Sequence, residues 1–160
     1  MCDLLNNNSV KRVKSSLDSF DKSLKIQILN QSARTATEAS NALGCDVGAI
    51  VKSLLIKTET SFILCLISGD KKCSLKKLKK LTSKKDVCMA NAEDVKKITG
   101  FTIGGVSPVG LRENLDIMID LQLQRYKKIY AAAGHPNAIF EINLDKLIKI
   151  TNGELIDISE

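Results

Sequence analysis

The chemistry-bearing residues of this sequence are few and separable. Lys52 lies in Ile50-Val51-Lys52-Ser53-Leu54-Leu55-Ile56, a run with the period of a strand. On that period Lys52 shares a face with Ile50, Leu54 and Ile56. An ammonium among apolar neighbours is costly unless it is paired or opens onto a pocket. Burial would lower its pKa, or leave it a fixed positive charge for an anionic ligand. An edge-strand lysine that snorkels back to water fits the same pattern. A Walker phosphate loop does not fit, because no glycine stands directly before Lys52-Ser53.

A second candidate is Gly104-Gly105-Val106-Ser107-Pro108-Val109-Gly110. Glycines around a proline make a rigid turn whose backbone N–H groups can approach a ligand closely. Position 109 is Val, so Ser107 is not in a nucleophile elbow. In Ala132-Ala133-Gly134-His135-Pro136, small residues and the lone histidine could leave room for a ligand at a strand end; a surface turn is the plainer alternative. From Lys71 to Lys85 run eight lysines (71, 72, 76, 77, 79, 80, 84 and 85). With Leu75, Leu78 and Leu81 turned inward, they would coat the outer face of a short helix. That face could meet a phosphate backbone through salt-sensitive attraction, or simply be solvated.

Composition bounds these candidates. The chain has 160 residues, net charge +6, one histidine and no tryptophan. One histidine rules out a multi-histidine metal site, and no cofactor is expected. An aromatic content of 4% speaks against an aromatic platform for single-stranded nucleic acid. The five cysteines, Cys2, Cys45, Cys65, Cys73 and Cys88, include no pair two residues apart, so neither a zinc knuckle nor a redox dithiol is predicted. No secretory leader or apolar run of about 20 residues is found. Reduced thiols, a cytoplasmic location and no membrane partner are expected.

The elements that must position these residues follow from spacing and caps. Val10, Val13, Leu17 and Phe20 predict a helix after a flexible lead over 1–9. Residues 26–29 predict a short strand. Thr35 and Glu38 predict a capping box opening a helix that Gly44 closes. Residues 50–57 and 62–68 predict an antiparallel hairpin. A helix from about Ser74, a strand over 87–90 and a helix from Asn91 to Gly100 come next. Residues 101–111 read as loop and 115–119 as strand. Further on come a short helix over 121–128, strands over 129–133 and 138–142, a helix over 144–150 and a strand over 154–158. The whole predicts one α+β domain, 1–160, with a mixed sheet.

Taken in order, these segments resemble the YbaK/ProX family of aminoacyl-tRNA deacylases, which includes the editing domain of bacterial prolyl-tRNA synthetases. The likeness runs through Arg34 to Ala39, Leu43-Gly44, Ile50 to Leu54, Ile98 to Phe101, Ile103 to Gly110 and Ala132 to Ile142. It implies a curved mixed sheet flanked by helices, and hydrolysis of the ester between a wrong amino acid and the terminal adenosine of a tRNA. It implies that Lys52 holds the terminal phosphate or orients the substrate, and that Gly104 and Gly105 line the site near the scissile carbonyl. Ser107, Pro108, Ala133, Gly134 and His135 would bind substrate; Ala133 and His135 depart from the Ser-Gly-Gly segment of the cysteine-specific branch. The implied partners are the acceptor end of an aminoacyl-tRNA and a synthetase. A non-catalytic module holding a tRNA end or nucleotide, and a Schiff-base enzyme using Lys52, stand as alternative readings.

Overall fold

The computed structural model describes residues 3–160; Cys2 lies outside the described residues. Helix α1 (Asn8–Phe20) forms on the predicted stripe, with Val10, Val13 and Leu17 fully buried and the Asn7 side chain capping the N–H groups of Ser9 and Val10. A 3-10 turn at Leu4–Asn6 precedes it, within the stretch expected to be a flexible lead. The other helices are α2 (Ala36–Leu43), α3 (Leu75–Thr82), α4 (Ala92–Thr99) and α5 (Leu144–Thr151). Thr35, Ser74, Asn91 and Asn143 cap them, each side chain accepting an N–H from three residues on. At α2 the box is not closed as predicted. The Glu38 carboxylate accepts from the N–H of Arg34 at 3.3 Å, one residue before the cap.

The strands are β1 (Ile26–Ile28), β2 (Ile50–Thr58), β3 (Phe62–Ser68), β4 (Val87–Met89), β5 (Asp116–Asp120), β6 (Ile129–His135), β7 (Ala138–Ile142) and β8 (Glu154–Ile156). They form one mixed sheet in the order β1-β7-β6-β2-β3-β5-β8, with β4 paired to β2 off that path. The predicted hairpin is present: β2 and β3 pair antiparallel from Val51 opposite Ser68 to Lys57 opposite Phe62. Pairs β6/β2, β3/β5 and β5/β8 are parallel.

Several expectations shift. Residues 121–125 form a 3-10 turn capped by Asp120, in place of the short helix expected over 121–128. Strand β6 passes through Gly134 to His135, a register shift after Ala132 absorbing the glycine. Strand β8 stops at Ile156, and the residues after it turn to bridge Cys73 through Ser159. Leu81, expected inside, is 43% exposed on the last turn of α3, where only Leu78 is fully buried.

The sheet has apolar side chains on both faces. One face packs against α1, α4 and α5 through Val10, Leu17, Val95 and Leu147, and takes Val51 and Leu55 from β2. The other packs against α3 and takes Ile56, with Leu54 against it. Lys52 therefore shares its face with the second, smaller core, as its position in the alternation predicts.

Candidate active site

The pairing of β2 makes the site. Along one edge β3 accompanies it from Val51 to Lys57. Along the other edge, β6 pairs only with Ile50 and Val51, and β4 only with Ile56 to Thr58. Residues 52–54 have no strand neighbour there, although the N–H of Ala90 reaches the Leu55 carbonyl at 2.9 Å. Into this split opens a cavity of about 310 Å³. Its floor is β2 from Ile50 to Leu55, one wall is Ala33 to Ala36 with Ala39 and Leu43 of α2, and another is Tyr130 to Ala132 of β6. Ile103 and Gly104 close it from the glycine loop, and Met89, Ala90 and Val95 from the far end. Met89 and Ile103 are exposed and form an apolar lip.

Lys52 lines this cavity, half-buried, and its Nζ donates to the carbonyl of Lys71. Burial pulls its pKa below that of a free lysine, opposed by the charges of Asp70 and Asp120. Those carboxylates belong to a polar network behind the turn that carries Lys71. Asp120 is fully buried and accepts from the N–H of Ser68, the N–H of Gln122 and the hydroxyl of Ser159 at 3.1, 3.1 and 2.9 Å. Asp70 receives both ends of the Arg125 guanidinium at 2.7 and 3.0 Å. That fork holds its carboxyl down at about 2. The end of the chain clasps the same turn: Lys72 and Glu160 exchange backbone hydrogen bonds at 3.1 and 2.8 Å, and the N–H of Ser74 reaches the Ile158 carbonyl at 2.8 Å.

The other expected residues distribute around the cavity. Gly104 is in its wall at φ +94°, and a Cβ there would meet Arg34 Cγ at 2.5 Å. Gly105 is buried behind the wall, where a Cβ would meet the backbone of Gly134 and His135 at 3.0–3.1 Å. Ser107 and Pro108 are buried, the Ser107 hydroxyl accepting from the N–H of Val109 at 3.2 Å. Ala132 is in the wall, whereas Ala133 points into the first core. His135 is half-buried and its Nδ1 accepts from the N–H of Asn137 at 3.0 Å, within the β6–β7 turn. The structure thus brings Lys52 and Gly104 to the cavity and places Gly105, Ser107, Pro108, Ala133, Gly134 and His135 outside its wall.

Arg34, Ser53, Met89, Ile103 and Tyr130 also line the cavity. Arg34 and Ser53 fall inside the strings that carry the family resemblance, but nothing in their own spacing marks them as ligand contacts. The lysine run is split. Lys72, Lys76, Lys79, Lys80 and Lys85 are exposed, while Lys77 is tied to Asp157 at 2.9 Å and to the carbonyl of Ser159 at 2.6 Å. Cys73 falls within the lysine run but is only partly exposed. It packs on the second core beside Cys65, and the Cys65 thiol is pushed up by its hydrogen bond to Cys73 and by burial. Among the described residues Cys45, Cys65, Cys73 and Cys88 are free, no three His, Cys, Asp or Glu side chains gather as a metal site, and no helix is long and apolar enough to cross a membrane.

A small α+β domain with a split sheet edge, one lysine in the split and a glycine loop across it defines the class. The chain belongs to the aminoacyl-tRNA editing domain family, whose model matches residues 30–150. It is 29% identical over 126 residues to the Enterococcus faecalis protein named "Putative Cys-tRNA(Pro)/Cys-tRNA(Cys) deacylase EbsC", covering 78% of this chain and 77% of that one. A proline--tRNA ligase of Caldicellulosiruptor bescii is 32% identical over 131 residues, 80% of this chain but 23% of that enzyme. A solved structure described as "Crystal structure of a putative trans-editing enzyme for prolyl tRNA synthetase" superposes with a TM-score of 0.90 at 37% identity, covering 96% of this chain and 98% of that one.

Proposed function

We propose that this chain is a deacylase that hydrolyses the ester between a wrong amino acid and the terminal adenosine of a tRNA. The observation that carries the reading is the cavity in the split edge of β2, with one lysine and one glycine loop at its rim, in a chain of the editing family. A synthetase pocket rejects a smaller, near-isosteric amino acid weakly, and a second small pocket removes the product. The alanine-lined cavity suits such a sieve.

The ester is already activated, so positioning and oxyanion stabilisation carry much of the chemistry. Water adds to the carbonyl carbon, and the negative charge that builds on its oxygen is met by the backbone N–H of Gly104 in the cavity wall, in a turn that the Gly105 N–H closes onto the Thr102 carbonyl at 3.0 Å. The C–O bond to the ribose then breaks, and the ribose oxygen takes up a proton. Lys52 holds the terminal phosphate or orients the ribose, its ammonium aimed by the Lys71 carbonyl. The apolar lip of Met89 and Ile103 receives the adenine. Helix α3 packs on β4, whose Met89 forms that lip, so the exposed lysines of α3 lie where an acceptor stem would pass.

The test is release of amino acid from tRNAs charged with Ala, Cys, Ser, Thr and Pro. Wild-type protein should deacylate at least one, and Lys52→Ala should lower kcat/KM at least about a hundredfold while the fold persists. Full activity in Lys52→Ala would remove this site. Tight binding of a charged tRNA with no hydrolysis across the panel would make the chain a binding module instead.

A further inference from the structure

Resting on that deacylase reading, we propose that Ser53 receives the α-amino group of the aminoacyl moiety. Ser53 Oγ is the one buried side-chain polar atom, among the described residues, without a hydrogen-bond partner. A buried hydroxyl in that state costs stability, and such groups mark sites where a partner arrives with a ligand.

The other hydroxyls of the cavity are committed. Thr35 Oγ1 accepts from the N–H of Glu38 at 3.1 Å, and the Tyr130 hydroxyl has Glu141, its cross-strand partner, to bond. Ser53 is half-buried in the cavity floor, and turning its hydroxyl about Cα–Cβ breaks no hydrogen bond.

The backbone points the same way. The Leu55 carbonyl is turned toward β4, where the N–H of Ala90 meets it. Peptide groups alternate sides along a strand, so the N–H and C=O of Ser53 face that same edge, in the stretch where neither β4 nor β6 pairs. The hydroxyl and the main-chain carbonyl together give two acceptors side by side.

The chemistry of the substrate selects among its groups. The phosphate, the ester carbonyl and the developing oxyanion seek donors, which Lys52, Arg34 and the glycine turn provide. The amino group is a donor in either protonation state and needs acceptors. The described wall holds two cations, Arg34 and Lys52, and no carboxylate, so neutral oxygens must take it. Ser53 projects to the opposite face of β2 from Lys52, the face on which Val51 and Leu55 join the first core, and Val95, Val106 and Ala131 of that core also line the cavity. The edge of β2 thus divides the substrate, with nucleotide on the Lys52 side and amino acid in the small apolar recess on the Ser53 side.

The test compares alanyl-tRNA with propionyl-tRNA, which lacks only the amino group. Ser53→Ala should lower kcat/KM for the alanyl ester about tenfold to a hundredfold and leave the propionyl ester within about twofold. Its melting temperature should match or exceed that of wild type, because the lost hydroxyl had no partner. Ser53→Thr, which restores the hydroxyl, should recover most of the alanyl rate. An unchanged alanyl rate in Ser53→Ala, or an equal loss for both esters, overturns the proposal and leaves deacylation standing. If wild type hydrolyses nothing, the deacylase reading has failed, and calorimetric titration with the stable amides 3′-alanylamido- and 3′-propionylamido-adenosine reads the same contact. A wild-type preference for the alanyl amide that Ser53→Ala abolishes upholds the contact. No preference overturns it.

Discussion

Two polar regions flank β2, and they are built in opposite ways. Behind the turn that carries Lys71, the side-chain oxygens of Ser68, Asp70, Asp120 and Ser159 are all hydrogen-bonded. Asp120 takes three donors, Asp70 takes the Arg125 fork, and the backbone of residues 158–160 fills the remaining places. Across the strand, the cavity is walled mostly by alanines and aliphatic side chains, and its floor holds a hydroxyl with no partner. A saturated network makes a rigid seat, and an unsaturated wall keeps hydrogen-bonding capacity for a ligand. Lys52 joins the two: its stem lines the cavity and its ammonium is bonded to the turn held by the network. Stability and chemistry should therefore separate cleanly by which side a substitution strikes.

The largest effect is expected on the network side. Asp120→Ala leaves three donors without their buried acceptor, each worth about 1–3 kcal/mol. Urea unfolding should show a loss of about 3 kcal/mol or more. A wild-type midpoint would mean the network is not what fixes the turn. On the cavity side, Lys52→Ala should reverse the pattern, with deacylation lost about a hundredfold and the urea midpoint held or raised, since a partly desolvated ammonium is removed. A matching drop in both would erase the distinction between the two sides.

The two sides also differed in how far the sequence disclosed them. Local rules read most elements well, since caps such as Asn91 and closers such as Gly44 act within a few residues. Lys52 stood out because a charge on an apolar alternation is a local anomaly. Asp120, Arg125 and Ser159 did not, because their meaning lies in contacts 39 to 57 residues away along the chain. Ser53 was hidden for a different reason. A serine in a strand is unremarkable until the pairing of β4 and β6 leaves its stretch of edge open. His135 drew attention as the lone histidine, yet β6 carries it into the turn with Asn137, away from the wall. The mixed sheet was expected, but its split edge depends on long-range register that no short window contains.

A third prediction probes the mouth of the cavity. Gly104→Ala must hold an alanine at φ +94° and push Arg34 aside. The backbone strain is about 1–2 kcal/mol, and the displaced guanidinium alters the mouth of the cavity. Stability should fall by about that amount, and KM should rise more than kcat falls. An unchanged KM would show that the mouth tolerates Arg34 in another position.

The smallest effect is electrostatic and belongs to the network side. The Asp70 carboxyl is held at about 2 by the Arg125 fork, well below a free aspartate. Its folded pKa is depressed, so the pair contributes stability above about pH 4, where an unfolded aspartate is ionised. That contribution is lost as the pH falls from about 4 through about 2, where the folded carboxyl takes up its proton. Asp70→Asn should therefore flatten the acid limb of the stability curve in that window and leave it unchanged near neutrality apart from a constant offset. Because the pair lies near the surface, added salt should shrink the difference between wild type and variant. The deacylation rate of Asp70→Asn near neutrality should stay within a few fold of wild type, because the turn whose Lys71 carbonyl seats Lys52 is still clasped through Lys72 and Ser74 by residues 158–160. A large loss of rate with little loss of stability would mean that the charge of Asp70, and not the saturated frame around it, is what sets the lysine.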